Sequence, residues 1–403
     1  MPSLPTLAGY EDCLGCMLCA DSCPHGAISF RIDENGFWMP QVDAERCVGC
    51  KLCERRCHQV RHNELAPLPA EQPLKGYARD PEIRRHSTSG GIFRALAEHV
   101  ITDRGGIVVG AVCEGDVIRH RAVDSIGELR ALQGSKYAQS DTRGIYRYVQ
   151  SCLRAGRFVL FSGTPCQCNA LRTFLGRSYP QLITVDIVCH GVPSYKLAER
   201  HLALNGGEAI VSFRAKSRGW GRDSFVTIRK GQDEVMIDDR ANNLFYHAFM
   251  AELCFRPSCY KCRFCNIRRT SDLTIGDLWA YRFTKEYDPL GVSVILPNTE
   301  QGRGLIRQCR GIDSTPISWR TALTNNPRIY SNRAAYRAIS LSTHLGTLYR
   351  YLPARVADYL IEAWYSKRRH LFFLWAVWLR FRRRRLDLKN SGSLEKTLKS
   401  LEK

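Results

Sequence analysis

CLGCMLCADSCP, residues 13–24, places Cys13, Cys16, Cys19 and Cys23 with two, two and three residues between them and a proline after the last. The same spacing returns in CVGCKLCERRC, residues 47–57, as Cys47, Cys50, Cys53 and Cys57. A tight loop carrying three thiolates can cap three irons of a cubane, while the fourth thiolate, moved onto a helix, reaches across to the other cube. The repeat therefore predicts two 4Fe-4S clusters with crossed ligation. One takes Cys13, Cys16, Cys19 and Cys57, and the other takes Cys47, Cys50, Cys53 and Cys23. A pair of zinc sites is the competing reading, but zinc modules split four ligands between two knuckles rather than using two runs of four.

From Gly9 to Arg61 the chain resembles bacterial two-cluster ferredoxin domains, with His58 standing where the second run often carries proline. Low-potential clusters of this kind imply one-electron exchange with a ferredoxin or another redox protein.

The 403 residues, 44% of them apolar, are enough for a substantial core and two or three structural units. The opening MPSLPTLAGYEDC has neither the basic start nor the apolar centre of a secretory signal. A cytoplasmic location with reduced thiols is expected, which favours metal ligation over disulfides for the 18 cysteines. The formal charge of +20 is concentrated at one end: residues 1–65 carry six Lys/Arg against nine Asp/Glu, and residues 331–403 carry sixteen against five. In that tail the apolar run Leu371–Leu379 precedes Arg380 and Arg382–Arg385. As a helix the run would span roughly 14 Å, too short for the ~30 Å hydrocarbon core of a bilayer. It suits a helix lying on the inner face of an anionic membrane, or one packed on the rest of the chain or a partner. Nucleic acid is disfavoured, because there is no recognition motif and the arginines follow an apolar run instead of interleaving with stacking aromatics.

The proline-rich ELAPLPAEQPLKG, residues 64–76, marks a boundary. Beyond it, STSGGIFRALAEHV predicts a glycine loop opening a helix with Ile92, Leu96 and Val100 on one face, followed by a buried strand over Ile107–Val112. Free N–H groups at such a loop can seat an anion or a polar ligand edge, although a plain glycine turn is the commoner meaning. RFVLFS and LITVDIVC predict two further strands ending at Ser162 and Cys189, each with a helix after it, as in an α/β layer.

Six blocks in one order, STSGGIF (87–93), GSKYAQS (134–140), LFSGTPCQ (160–167), DIVCHGVPS (186–194), FRAKSRGWG (213–221) and RPSCYKC through SDLTIGDLW (256–279), resemble the coenzyme F420 hydrogenase/dehydrogenase beta-subunit family. With the ferredoxin region in front, the chain is similar to bacterial members that fuse both parts. The resemblance implies an iron-sulfur flavoprotein with FAD in an α/β domain beside a third 4Fe-4S cluster. A flavin converts between one-electron and two-electron chemistry. The organic hydride partner is coenzyme F420 in archetypal members and a tetrapyrrole in others, so the substrate stays open.

Within the family blocks Cys166, Cys189, Cys259 and Cys262 suit the third cluster, while Cys254, Cys259, Cys262 and Cys265 form a local alternative. Cys113, Cys152, Cys168 and Cys309 are expected to fill core space. For the flavin, the candidates are Ser89, Gly90 and Gly91, then Ser135, Lys136 and Tyr137, and Asp277, whose other reading is a helix cap. His190 suits a supporting role beside the cluster, and Trp220 and Trp279 suit either cofactor stacking or packing.

The fold class expected is α+β: a ferredoxin-like two-cluster domain (1–65), a linker (66–75), an α/β flavin and iron-sulfur core (76–330) and a basic helical tail (331–403). The function expected is an FAD- and iron-sulfur-dependent oxidoreductase, passing electrons in either direction between a ferredoxin-like partner and a small organic hydride acceptor. The alternative is a non-catalytic electron-transfer adaptor, as the resemblance implies for accessory proteins of polysaccharide pathways.

Overall fold

Each of the two N-terminal cysteine runs turns directly into a one-turn helix, Leu18–Ser22 and Leu52–Arg56. A computed structural model describes residues 3–60, 66, 68–69, 71–115, 117–221, 225–237, 243–250, 252, 254–331 and 391–401. The repeat in sequence is a repeat in backbone: Gly15 and Gly49 have φ of 62° and 70°, and Met17 and Lys51, which open the helices, have φ of 60° and 56°. Gly15 has a second reason to be glycine, since a Cβ there would meet the side chains of Gln139 at 2.5 Å and Arg256 at 2.7 Å. Between the runs lies an antiparallel hairpin, β1 (Ile28–Ile32) and β2 (Trp38–Val42).

Beyond the linker, β3 (Leu74–Ala78), β4 (Ile107–Glu114), β5 (Val117–Val123), β6 (Val159–Gly163) and β7 (Leu182–Ile187) enter one sheet. The chain then leaves it for a separate antiparallel sheet, β8 (Ala209–Ala215), β9 (Phe225–Lys230) and β10 (Asp233–Ile237). It returns as β11 (Leu273–Asp277), β12 (Ser293–Pro297) and β13 (Ile312–Pro316), completing eight strands in the order β13-β3-β12-β11-β7-β6-β4-β5. The centre, β4-β6-β7-β11, is parallel and both margins are antiparallel.

Side chains alternate across a strand, so the apolar runs can serve two faces at once. Val108, Leu160 and Ile183 pack on the helix Ile92–Arg104, together with Leu305 and Ile306 of the helix Glu300–Gln308. Their neighbours Ile107, Val109, Val159, Phe161 and Leu182 pack on the helices Ile145–Arg154 and Pro165–Leu175. The predicted helix and the strand from Ile107 lie where the sequence places them, β6 ends one residue past the expected Ser162, β7 ends at Ile187, two residues short of the expected Cys189, and β3 begins at Leu74, two residues ahead of the expected core boundary. The core is therefore mixed α/β, with the ferredoxin-like module attached.

Of the tail, the helix Ser391–Leu401 is described, and its Leu394, Leu398 and Leu401 join a cluster with Ile267, Leu278 and Leu323. The apolar run and arginine cluster lie outside the described residues. No described helix is long and apolar enough to cross a membrane.

Candidate functional site

The two N-terminal quartets each line a cavity of their own. Cys13, Cys16, Cys19 and Cys57 surround one, with Phe30, Pro40 and His58, and Cys23, Cys47, Cys50 and Cys53 surround the other, with His25 and Ile28. This is the crossed grouping that the spacing predicts, and it arises because Cys23 and Cys57 sit at the C-terminal ends of the two one-turn helices. Burial raises the Cys13, Cys16 and Cys19 thiols, and each is raised further by the charge of Cys57. Backbone N–H groups face the sulfurs: Gly15 N is 3.4 Å from Cys13 Sγ and Ala27 N is 3.3 Å from Cys23 Sγ. Four thiols around a small enclosed space, with N–H donors turned toward sulfur, fit the donor set of a 4Fe-4S cluster. The second quartet has an exposed member, Cys50, and the first has none.

The module is seated firmly on the core. Asp21 accepts from Gly144 N at 2.6 Å and Tyr146 N at 3.0 Å, supplying free N–H groups at the start of the helix Ile145–Arg154 with an acceptor from another domain. Arg256, 1% exposed, donates to Cys13 O at 3.0 Å and Trp38 O at 2.7 Å. Tyr146 Oη and Thr142 Oγ1 donate to Cys16 O at 2.8 and 3.0 Å.

Behind Cys16, a second group of thiols gathers at the carboxyl ends of β6 and β7. Cys166 follows β6 at the start of its helix and Cys189 lies just past β7, while Cys259, Cys262 and Cys265 come from the loop before β11. Burial lifts Cys166 and Cys189 to about 12 and Cys259 to about 11, with mutual repulsion adding to it: Cys189 acts on Cys166, Cys259 on Cys189, and Cys166 on Cys259. Cys262 donates to Cys265, whose thiol is held below its ordinary range by that bond and by the nearby Arg328 and Arg269 guanidiniums. Arg328 Nη1 lies 3.6 Å from Cys265 Sγ.

Cys166, Cys189, Cys259 and Cys262 thus share one neighbourhood with Cys265, near enough to act on one another, although among the described residues no three His, Cys, Asp or Glu side chains are placed to hold a single metal ion. Cys254, of the local alternative, is packed in the aromatic cluster of the small sheet, against which Cys259 also packs, and is pushed up to about 12 by burial alone. Among the expected space-fillers Cys152, Cys168 and Cys309 are buried, but Cys113 is exposed, because it falls near the outer end of β4.

The residues named for a flavin also converge. Ser135 N and Oγ donate to Thr88 Oγ1 at 2.9 and 3.1 Å, joining the 134–137 loop to the 87–91 loop. Gly90 packs against the sheet, where a Cβ would stand 2.7 Å from Gly76 O, and Gly91, at φ 85°, opens the helix. Lys136 Nζ donates to Ala131 O and Gln133 O at 3.0 and 2.7 Å, and burial brings it down to about 8.

Two neighbours of this loop pair were not singled out in the sequence. Lys216 Nζ donates to Ser89 O at 3.1 Å and to Arg84 O and Leu290 O, and Arg214 forms a buried ion pair with Asp277 at 2.8 Å. Asp277 also accepts from Trp220 Nε1 at 2.5 Å, and the following short helix is capped by Leu278, so the helix-cap reading of Asp277 is not what the structure has. Trp220 and Trp279 stack on each other, 5.3 Å between centroids. The signal for Lys216 and Arg214 is present in FRAKSRGWG, where three cations, Arg214, Lys216 and Arg218, alternate along β8 and past its end, but alternation alone does not separate a buried cation from a surface one.

An aromatic path links the two neighbourhoods. Tyr137 stacks on Phe249 at 4.4 Å, Phe249 lies 5.1 Å from His190, and His190 adjoins Cys189 and faces Glu252 at 3.4 Å.

Comparison with known proteins matches this division of the molecule. Residues 12–59 match the 4Fe-4S dicluster domain model, and residues 156–314 match the model for the C terminus of the coenzyme F420 hydrogenase/dehydrogenase beta subunit. The two matched regions follow one another along the chain without overlap. An uncharacterized ferredoxin from Methanocaldococcus jannaschii is 45% identical over 47 residues, which are 12% of this chain and 60% of that protein. A chain of the F420-reducing NiFe hydrogenase complex from Methanosarcina barkeri superposes with a TM-score of 0.45 at 14% identity, covering 72% of this chain and 95% of that one. The dicluster match encloses all eight N-terminal cysteines, and the second match encloses all five of the core group.

Proposed function

We propose that the chain is an iron-sulfur flavoprotein oxidoreductase, exchanging single electrons with a ferredoxin-like protein and a hydride equivalent with a small organic acceptor. The observation that carries this reading is the continuity of redox-suited groups through the protein. The two quartets line a cavity each, His58 spans from Cys16 to Asn169 on the helix that carries Cys166, and Cys189 leads through His190 and Phe249 to Tyr137.

Cys13, Cys16, Cys19 and Cys57 would hold one cluster, Cys23, Cys47, Cys50 and Cys53 a second, and Cys166, Cys189, Cys259 and Cys262 a third. Cys265 lies beside this set, with Arg328 Nη1 3.6 Å from its sulfur. FAD would lie against the 87–91 and 134–137 loops, where Lys136, Arg214 and Lys216 supply positive charge. When bound, clusters carry electrons singly and a flavin pairs them. The chain's own residues fix the spacing, exclude water from the inner groups and balance the charge: Arg256 beside Cys13, and Arg328 and Arg269 beside Cys265. The exposed Cys50, with Val48 54% exposed beside it, makes the second quartet the natural face for a protein donor.

Anaerobic reconstitution with iron, sulfide and FAD tests the reading. Uptake of about 12 iron atoms and one flavin per chain is expected, from three cubanes. Reduction by ferredoxin should then bleach the flavin. Iron uptake near 8, or a chain that binds no flavin, overturns the assignment of the core.

A further inference from the structure

His58 follows Cys57 in the chain, yet its side chain points away from the second run and into the core. It is 1% exposed, and its Nε2 lies 3.8 Å from Cys16 Sγ, within reach of a large sulfur acceptor. Its other nitrogen, Nδ1, lies 3.1 Å from Asn169 Nδ2. An amide NH2 only donates, so Nδ1 accepts, and the ring's single proton then resides on Nε2, facing the sulfur. Asn169 belongs to the helix Pro165–Leu175, which also carries Cys166. Arg263 Nη1 holds His58 O at 2.8 Å, and Phe264 packs edge-on to the ring at 5.7 Å, so the imidazole is gripped from the 262–265 loop as well.

We propose that His58 donates a hydrogen bond from Nε2 to the Cys16 thiolate, with Asn169 fixing the proton on that nitrogen, and that this bond raises the reduction potential of the cluster held by Cys13, Cys16, Cys19 and Cys57. The proposal rests on those four cysteines being cluster ligands. Its physical basis is that a donor aimed at a ligand sulfur withdraws negative charge and favours the added electron. Cys16 is also the ligand whose thiol feels the charge of Cys166, so the bond acts on the cluster edge that faces the core group. His58 is a positioning residue, and proline at this place would supply no donor.

The test is an anaerobic redox titration of the reconstituted full chain, followed by EPR, in wild type, His58→Phe and His58→Gln. The phenyl ring keeps the bulk and removes the donor, whereas the glutamine amide carries an N–H to about the same place. In His58→Phe, one low-potential wave should move negative by about tenfold in its reduction constant, which is ~59 mV for one electron, while His58→Gln stays close to wild type. A wave unmoved in His58→Phe, or moved equally far in both variants, overturns the proposal. If the phenylalanine variant loses the cluster, pulsed EPR decides on otherwise native protein labelled with 15N-histidine and carrying His25→Asn. Nitrogen coupling to a reduced cluster is expected, and its absence overturns the proposal. Failure of the ligand assignment looks different: a wild-type chain that takes up less than about eight iron atoms in the module, with no cluster signal lost in Cys16→Ala.

Discussion

Cys13, Cys16 and Cys19 lie within seven residues of one loop, whereas Cys166, Cys189 and Cys259 come from three separate connections of the large sheet. In the module, local backbone does most of the gathering: paired positive-φ residues turn each run, and a one-turn helix carries the fourth thiol across to the neighbouring run. In the core, parallel strands bring Cys166 and Cys189 to one edge at their carboxyl ends, as open α/β sheets do, and the pairing of Phe255 and Arg256 with Val192 and Pro193 brings Cys259 beside them. A local set can form as soon as its loop closes, but a dispersed set exists only once the sheet has assembled.

That contrast is open to direct tests. The largest effect is expected from Cys166→Ala, which should lower the iron content of the reconstituted chain from about 12 to about 8 atoms while the two module clusters keep their EPR signals. Cys13→Ala should cause an equal loss and remove a module signal instead. An unchanged iron load in Cys166→Ala would mean that the core thiols gather without holding a cluster.

Next in size is Asp277→Asn, which leaves the Arg214 guanidinium, 9% exposed in its side chain, without its carboxylate. Breaking a buried pair by removing one partner costs about 3 kcal/mol. Urea unfolding followed by tryptophan fluorescence should register that loss, and a change below ~1 kcal/mol would show the pair to be screened by solvent.

A smaller effect, about 1 kcal/mol, is expected from Asp21→Ala, which removes the acceptor for Gly144 N and Tyr146 N. Hydrogen exchange should accelerate at the 144–147 amides and at the module's contact with them. If exchange changes only within the module, Asp21 does not couple the two regions.

The smallest change in iron content is expected from Cys265→Ala and Cys254→Ala, both of which should keep about 12 iron atoms. Cys254→Ala should cost about 1 kcal/mol of stability from the lost packing. Iron falling to about 8 in Cys265→Ala would make Cys265 a ligand in place of one of the four named thiols.

Particular residues explain what could be read in advance. The helix from Ile92 and the strands at Ile107, Val159 and Leu182 were legible because each follows one periodicity and is bounded by glycine, proline or polar turns. The crossed quartets were legible because their spacing is itself the geometry. Lys216 and Arg214 were not, since the sequence cannot tell that Lys216 reaches three carbonyls on the 84–89 and 290 segments. The role of Cys265 is open in the sequence, which does not show that Arg328 reaches both its sulfur and the Cys259 carbonyl. Cys113 was misplaced because a thiol at a strand end carries no sign of which side of the sheet edge it occupies.

By itself, then, the sequence determined the two N-terminal thiol quartets and the α/β core, because each is written in residue spacing, periodicity or apolar runs. Only the tertiary structure decided that Cys166 and Cys189 share a neighbourhood with the 259–265 thiols, that Asp277 pairs with Arg214, and that His58 turns from its own loop to Cys16 and Asn169. Those contacts join residues tens to hundreds of positions apart, and their partners are chosen by how strands and helices pack, which no local pattern encodes.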